Sequence, residues 1–131
     1  MFNKKKQPPI KSLIANGTLI QGHVQFSEGL RIDGEVIGDI RASAQPSILV
    51  ISETARVTGQ IHADHVIING SVKGPVFAST LLELQPKARI EGDVAYRALE
   101  MHQGAMISGQ LKPTAEAADE KPPLKLAANN A

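Results

Sequence analysis

Four histidines, His23, His62, His65 and His102, and an acidic group, Asp33, Glu35 and Asp39 flanked by Arg31 and Arg41, carry the side chains most able to do chemistry. His62 and His65 stand three apart, a spacing that can chelate a metal on a helix but has no such geometry in a strand and corner. The sequence around them alternates with period two, so no metal site is expected there. By the same count His23 and His102 fall at outward or corner positions, as solvated imidazoles. Asp33, Glu35 and Asp39 fall in one outward row, and nothing apolar surrounds them to shift a pKa. Ion pairing between strands on a solvated face is the expected role, rather than paired-carboxylate catalysis. No catalytic residue, cofactor ligand or metal site emerges.

The elements that carry these residues follow from a repeated phrase, apolar-x-Gly-x-apolar. Its glycines are Gly22, Gly38, Gly59, Gly74, Gly92 and Gly109, at a mean step of about 17 residues. A recurrence of that length is one supersecondary unit stacked on itself. A second phrase, two apolar residues separated by one, interleaves with it at Leu30/Ile32, Leu49/Ile51, Val66/Ile68, Leu82/Leu84 and Leu99/Met101, with Ser12/Ile14 as its first copy. Both phrases have the period of a strand. Between them lie Asp33-Gly34 and Asn69-Gly70, which suit a positive φ or a bulge and so mark corners.

Short strands joined by tight bends, repeated about six times, predict an all-β fold: a right-handed three-sided parallel β-helix of about six coils. Right-handedness is preferred because the coil length wanders, with an insertion at 43–47, whereas left-handed β-helices keep a strict hexapeptide rhythm. At about 4.8 Å per coil the rod is roughly 29 Å long. The repeated glycine is read as a packing or corner residue. No strand-loop-helix unit accompanies it, so phosphate binding is not expected.

Length and composition agree with this reading. The chain has 131 residues, room for one core, and few aromatics to fill it: Phe2, Phe26, Phe77 and Tyr96. It has no cysteine, which excludes disulfides and thiolate metal sites. No apolar run approaches the roughly 20 residues of a transmembrane helix, and no export signal is expected. The net charge of +1 conceals a basic start, Lys4, Lys5, Lys6 and Lys11 with no acid. The body offers no positive stripe, so direct nucleic-acid binding is not expected. Residues 1–11 read as a disordered basic arm, 12–112 as the β-helix, and 113–131 as a disordered Pro/Ala-rich tail.

An open β-helix exposes unpaired backbone and a slice of core at each end, and no polar capping unit adjoins either end. End-to-end association is therefore expected, through Ile14, Leu19, Ile20, Val24 and Phe26 at one end and Leu99, Met101, Met106, Ile107 and Leu111 at the other. Met1, Phe2, Lys4, Lys5 and Lys6 combine an apolar side chain with a polybasic patch and suit an anionic membrane surface.

The phrases 16–24, 29–40 (Gly-Leu-Arg-Ile-Asp-Gly-Glu-Val-Ile-Gly-Asp-Ile), 66–74 and 88–94 resemble those of the bactofilins, bacterial polymer-forming cytoskeletal proteins. The resemblance covers about residues 12–112. It implies a right-handed three-sided β-helix and nucleotide-independent assembly through terminal coils into filaments without overall polarity. It further implies membrane targeting by an opening like Met-Phe-Asn-Lys-Lys-Lys. As partners it implies the chain itself, anionic lipid at the inner face of the cytoplasmic membrane, and cell-wall hydrolase, synthase or morphogenetic client proteins. Where members often carry an aromatic in the last coil, this chain has Ile107. Two other classes remain open on the residues alone: a small β-helical acyltransferase-like enzyme, and a monomeric ligand-binding module.

Overall fold

The computed structural model describes residues 8–114, and among them the chain forms fifteen strands and no helix. Coil one contains β1 (Ile10–Ile14), β2 (Leu19–Gln21) and β3 (Val24–Phe26), and coil two β4 (Gly29–Ile32), β5 (Glu35–Ile37) and β6 (Ile40–Ala42). Then follow β7 (Ile48–Ile51), β8 (Arg56–Thr58), β9 (Ile61–Ile68), β10 (Ser71–Lys73), β11 (Val76–Leu84), β12 (Arg89–Glu91), β13 (Val94–Met101), β14 (Met106–Ser108) and β15 (Leu111–Pro113). The strand region thus begins at Ile10 and ends at Pro113, slightly outside the 12–112 expected from periodicity.

Every strand pairing is parallel, and the pairings define three faces. The second face is the sheet β2-β5-β8-β10-β12-β14. The long strands β9, β11 and β13 each cross an edge of the rod. The start of β9 pairs with β6 on the third face, Ile40 beside Ile61, while its end pairs with β7 on the first, Leu49 beside Val66. Six coils result, as the two interleaved phrases require. The expected first copy, Ser12/Ile14, stacks on Leu30/Ile32.

The core is a set of columns, one residue per coil. Ile20, Val36, Val57, Val72, Ile90 and Ile107 form the column of the second face. Its four inner members are buried and its two outer ones only partly so. A column on the third face runs Ile40, Ile61, Val76, Val94. Branched aliphatics at every rung fill a narrow interior and suit the pleated backbone at the same time.

Glycine sets the spacing at the corner between the second and third faces. Gly38 and Gly59 have φ of 150° and 149°, a region that L side chains rarely adopt. A Cβ on Gly38 would lie 2.0 Å from the carbonyl oxygen of Gly22, and one on Gly59 2.2 Å from that of Gly38. The corner glycines Gly34 and Gly70 work differently. Neither takes a positive φ; a Cβ there would strike Ala15 O at 2.4 Å or Ser52 O at 2.3 Å. Close backbone approach, not backbone conformation, demands glycine at those two positions.

The coil-length insertion is absorbed outside the ladder. Residues 43–46 bulge from one corner, and the return is tied down at Ser47, a buried polar residue. Ser47 donates from its backbone N–H and its hydroxyl to Asp64 Oδ2, at 2.9 and 3.2 Å, and Ser79 donates to Asp64 Oδ1. At Gly22 a Cβ would meet nothing within 4 Å, since among the described residues no coil precedes it. Gly38→Ala is therefore expected to destabilise the fold more than Gly22→Ala. The latter incurs only the conformational strain of about 1–3 kcal/mol. Urea denaturation followed by circular dichroism checks the order; equal losses would contradict the stacked-glycine reading.

Candidate functional site

The two ends of the rod are open edges. Strands β1, β2 and β3 each pair on one side only, as do β14, β15 and the second half of β13. Among the described residues their outer N–H and C=O groups have no strand partner, the condition that makes a sheet edge a template for another chain.

The ends differ in how well their apolar residues are covered. At the N-terminal end, Ile14 and Phe26 are each only 7% exposed. Phe26 stacks on Ala42, and further along that corner Ala63 and Ala78 are equally small, so the ring seats over a column of methyl groups. Ile20 and Val24 are partly buried against the core. Leu19 is exposed, but it faces outward in register with Glu35. Two exposed apolar residues escaped the sequence reading, Ile10 and Leu13. The first is only one residue beyond Pro8-Pro9, which masked it as part of the arm, and the second points outward.

At the C-terminal end the core itself is on show. Met101 stacks on Leu84 and Leu111 on Val94, both fully buried, yet Met101 and Leu111 are 46% exposed. Leu99 and Ile107 are partly covered. Met106 is exposed, but its register partner is the outward Arg89. Of the residues expected at the ends, Met101 and Leu111 are thus core-register side chains left without a further coil above them among the described residues. Ile14 and Phe26 close their own end instead.

Coil six is fastened by a corner carboxylate. The backbone N–H of Gln110 donates to Asp93 Oδ1 at 2.9 Å, and Lys112 Nζ lies 3.2 Å from Oδ2. The same device recurs at Asp39, which accepts from Gln60 N. The Gln110 N–H bond first, and then Lys112, hold the Asp93 carboxyl below its ordinary range.

His23 and His62 do not gather with Asp33, Glu35 and Asp39 into one catalytic set. His62 and His65 lie on different faces of β9. His62 stacks on Phe77, ring centroids 4.4 Å apart, and burial, followed by the Arg41 charge, pushes its imidazole pKa down. His23 is well exposed beside Asp39 at 3.8 Å. Asp33, Glu35 and Asp39 are not one row. The chain turns at Asp33-Gly34 and again at Gly38-Asp39, so the alternation continues around the rod and distributes them over two corners and the second face. Period two survived the bends and concealed them. Asp33 binds Arg31 Nε at 2.9 Å, and its carboxyl is held low, most by a hydrogen bond from Ser52. Ion pairs between coils, Lys11–Glu28 and Lys87–Glu53, lie on solvated surface, whereas Asp33 pairs within its own coil with Arg31.

A family model described as bactofilin, polymer-forming cytoskeletal, matches residues 12–112. The chain belongs to the bactofilins. Its relatives include bactofilin BacO of Myxococcus xanthus (strain DK1622), 26% identical over 110 residues that span 84% of this chain and 85% of BacO. No solved structure matches. A bactofilin is a polymer-forming cytoskeletal protein, and the open strand edges at both ends of the described residues agree with that. Among the described residues no helix is long and apolar enough to cross a membrane. The arm residues Met1, Phe2, Lys4, Lys5 and Lys6, and the tail beyond Thr114, lie outside the described residues.

A carboxyl with a lowered native pKa stabilises the fold above its ordinary value of 3.8 and ceases to do so as pH falls through the lowered one. Exchange of the Gln110 amide, corrected for intrinsic rate, is therefore expected to accelerate as pH drops from about 5 to about 3. In Asp93→Ala it should be fast throughout. A wild-type amide insensitive to acid would contradict this role.

Proposed function

We propose that this bactofilin polymerises end to end through coils one and six, without nucleotide, and that the filaments scaffold other proteins at the cytoplasmic membrane. The observation that carries this reading is the uncovered core at the C-terminal end, Met101 and Leu111 beneath open strand edges. Leu99, Ile107 and Met106 extend that surface, and Ile14, Leu19, Ile20, Val24 and Phe26 form the opposite one. Nucleotide independence is supported by the glycines, which are used up in coil-to-coil packing.

Each end meets its own kind. The resemblance to bactofilins implies this like-with-like pairing; the ends themselves differ, one sealed by Phe26 and one exposing Met101 and Leu111. Filaments built this way have no overall polarity. Like-with-like pairing makes a clear prediction. Leu111→Lys would leave a charge facing apolar core, and burying it unpaired is prohibitive. Sedimentation should then find dimers joined through coil one. Monomers alone would mean head-to-tail stacking, in which one blocked end stops all growth. Unchanged filaments by electron microscopy would overturn the end-to-end reading itself.

Membrane attachment falls to Met1, Phe2, Lys4, Lys5 and Lys6. Each lysine near an anionic leaflet contributes about 1 kcal/mol, and insertion of Phe2 adds ~1–3 kcal/mol. One arm binds weakly, but a polymer presents many at once. The filament is thereby held at the inner face of the cytoplasmic membrane, where it localises cell-wall hydrolases or synthases, or morphogenetic proteins. Deleting residues 2–6 is expected to abolish cosedimentation of filaments with anionic liposomes while leaving filaments intact. Cosedimentation that persists would remove the arm from the mechanism.

A further inference from the structure

The strand register assembles a ligand cluster that no spacing along the chain announces. Glu83 on β11 and Glu100 on β13 are direct partners on the outer surface of the first face. Two like charges in direct register on neighbouring strands repel. Two residues beyond Glu100, the same alternation brings His102 to the same side. A carboxylate oxygen of each glutamate and a ring nitrogen of His102 all lie within 4.8 Å of one another.

The distances around Glu83 are too long for hydrogen bonds and stand a few tenths of an ångström beyond those between ligands of one ion. His102 Nε2 is 3.7 Å from Glu83 Oε2, and His65 Nε2 is 3.8 Å from Glu83 Oε1. Hydrogen bonds of this kind are shorter, at most about 3.2 Å. Two ligands at roughly 2.0–2.2 Å from one tetrahedral ion stand about 3.3–3.5 Å apart. Gln85 Nε2 donates to Glu83 Oε2 at 3.3 Å and helps to aim that oxygen. Glu83 is mostly buried between the imidazoles, whereas His102 is about half exposed, which leaves an open path for an ion from solvent.

We propose that Glu83, Glu100 and His102 bind a divalent first-row transition ion, with Zn²⁺ the best match. Imidazole nitrogen with carboxylate oxygen is a borderline donor set. Mg²⁺ and Ca²⁺ prefer oxygen alone. His65 Nε2, 3.8 Å from the other oxygen of Glu83, lines the inner side of the same site. The ligands come from two coils, Glu83 from coil five and Glu100 and His102 from coil six. A bound ion turns the repulsion between the two glutamates into a cross-link that ties the outermost coil to the rod. Met101 lies between two of the ligands in sequence, so the cross-link sits at the open end of the core.

Isothermal titration of tag-free full-length protein with zinc chloride tests this. One ion per chain is expected, with affinity reduced about 10-fold or more in Glu100→Gln and in His102→Gln. His62→Gln, on another face, should bind as the wild type does, and magnesium chloride should give no comparable heat. A second readout needs no variant: zinc should protect His102, but not His23, from diethylpyrocarbonate, as read by peptide mass spectrometry. Absence of stoichiometric binding, unchanged affinity in both ligand variants, or equal protection of His23 and His102 would each overturn the proposal.

Discussion

The backbone-to-backbone approach of successive coils is the constraint on which the rest of this structure depends. Along one corner each glycine lies against the carbonyl of the glycine one coil before, so close that no side chain fits between them. That contact holds the coils at strand spacing, which lets the columns of Ile, Val and Leu touch and keeps every inner strand hydrogen-bonded on both sides. It also makes the fold quasi-one-dimensional: each coil is supported by its neighbours, and the first and last have one neighbour instead of two.

The ends therefore inherit whatever the repeat does not satisfy. At the N-terminal end Phe26 and Ile14 close much of the core within the chain. At the C-terminal end the repeat stops with Met101 and Leu111 still in core register and no further described coil above them. Polymer formation is the property of the family, and the end-to-end growth proposed above would complete these ladders and cover this core. Asp93 and the Glu83–Glu100–His102 cluster both act on the coil that carries this surface.

Much of the fold was legible because a stacked coil writes its geometry into the chain at a nearly constant interval. Ile20 to Ile107 could be aligned as one column from the repeat alone, and Ser12/Ile14 could be placed on Leu30/Ile32. Where the reading failed, three dimensions entered that periodicity does not encode. Asp33, Glu35 and Asp39 alternate as if on one flat face, since a corner need not break period two. In the sequence Gly34 marks a corner suited to a positive φ or a bulge, but the atom that demands glycine there belongs to Ala15, nineteen positions away. Glu83 and Glu100 become neighbours through register, and the histidine that joins them, His102, had seemed merely solvated. Phe26 and Met101 both read as end residues. Only the small residues beneath Phe26 explain why one is covered and the other open.

Hydrogen exchange read by mass spectrometry, on assembled protein and on a soluble end variant, tests end-to-end continuation of the β-helix most directly. Protection is expected to rise on assembly in the strands of coils one and six, β1–β3 and the stretch from the second half of β13 through β15, while coils three and four stay unchanged. Protection gained instead across the outer faces of the inner coils, with the terminal strands still exchanging freely, would show that the rods associate side by side and would contradict end-to-end growth.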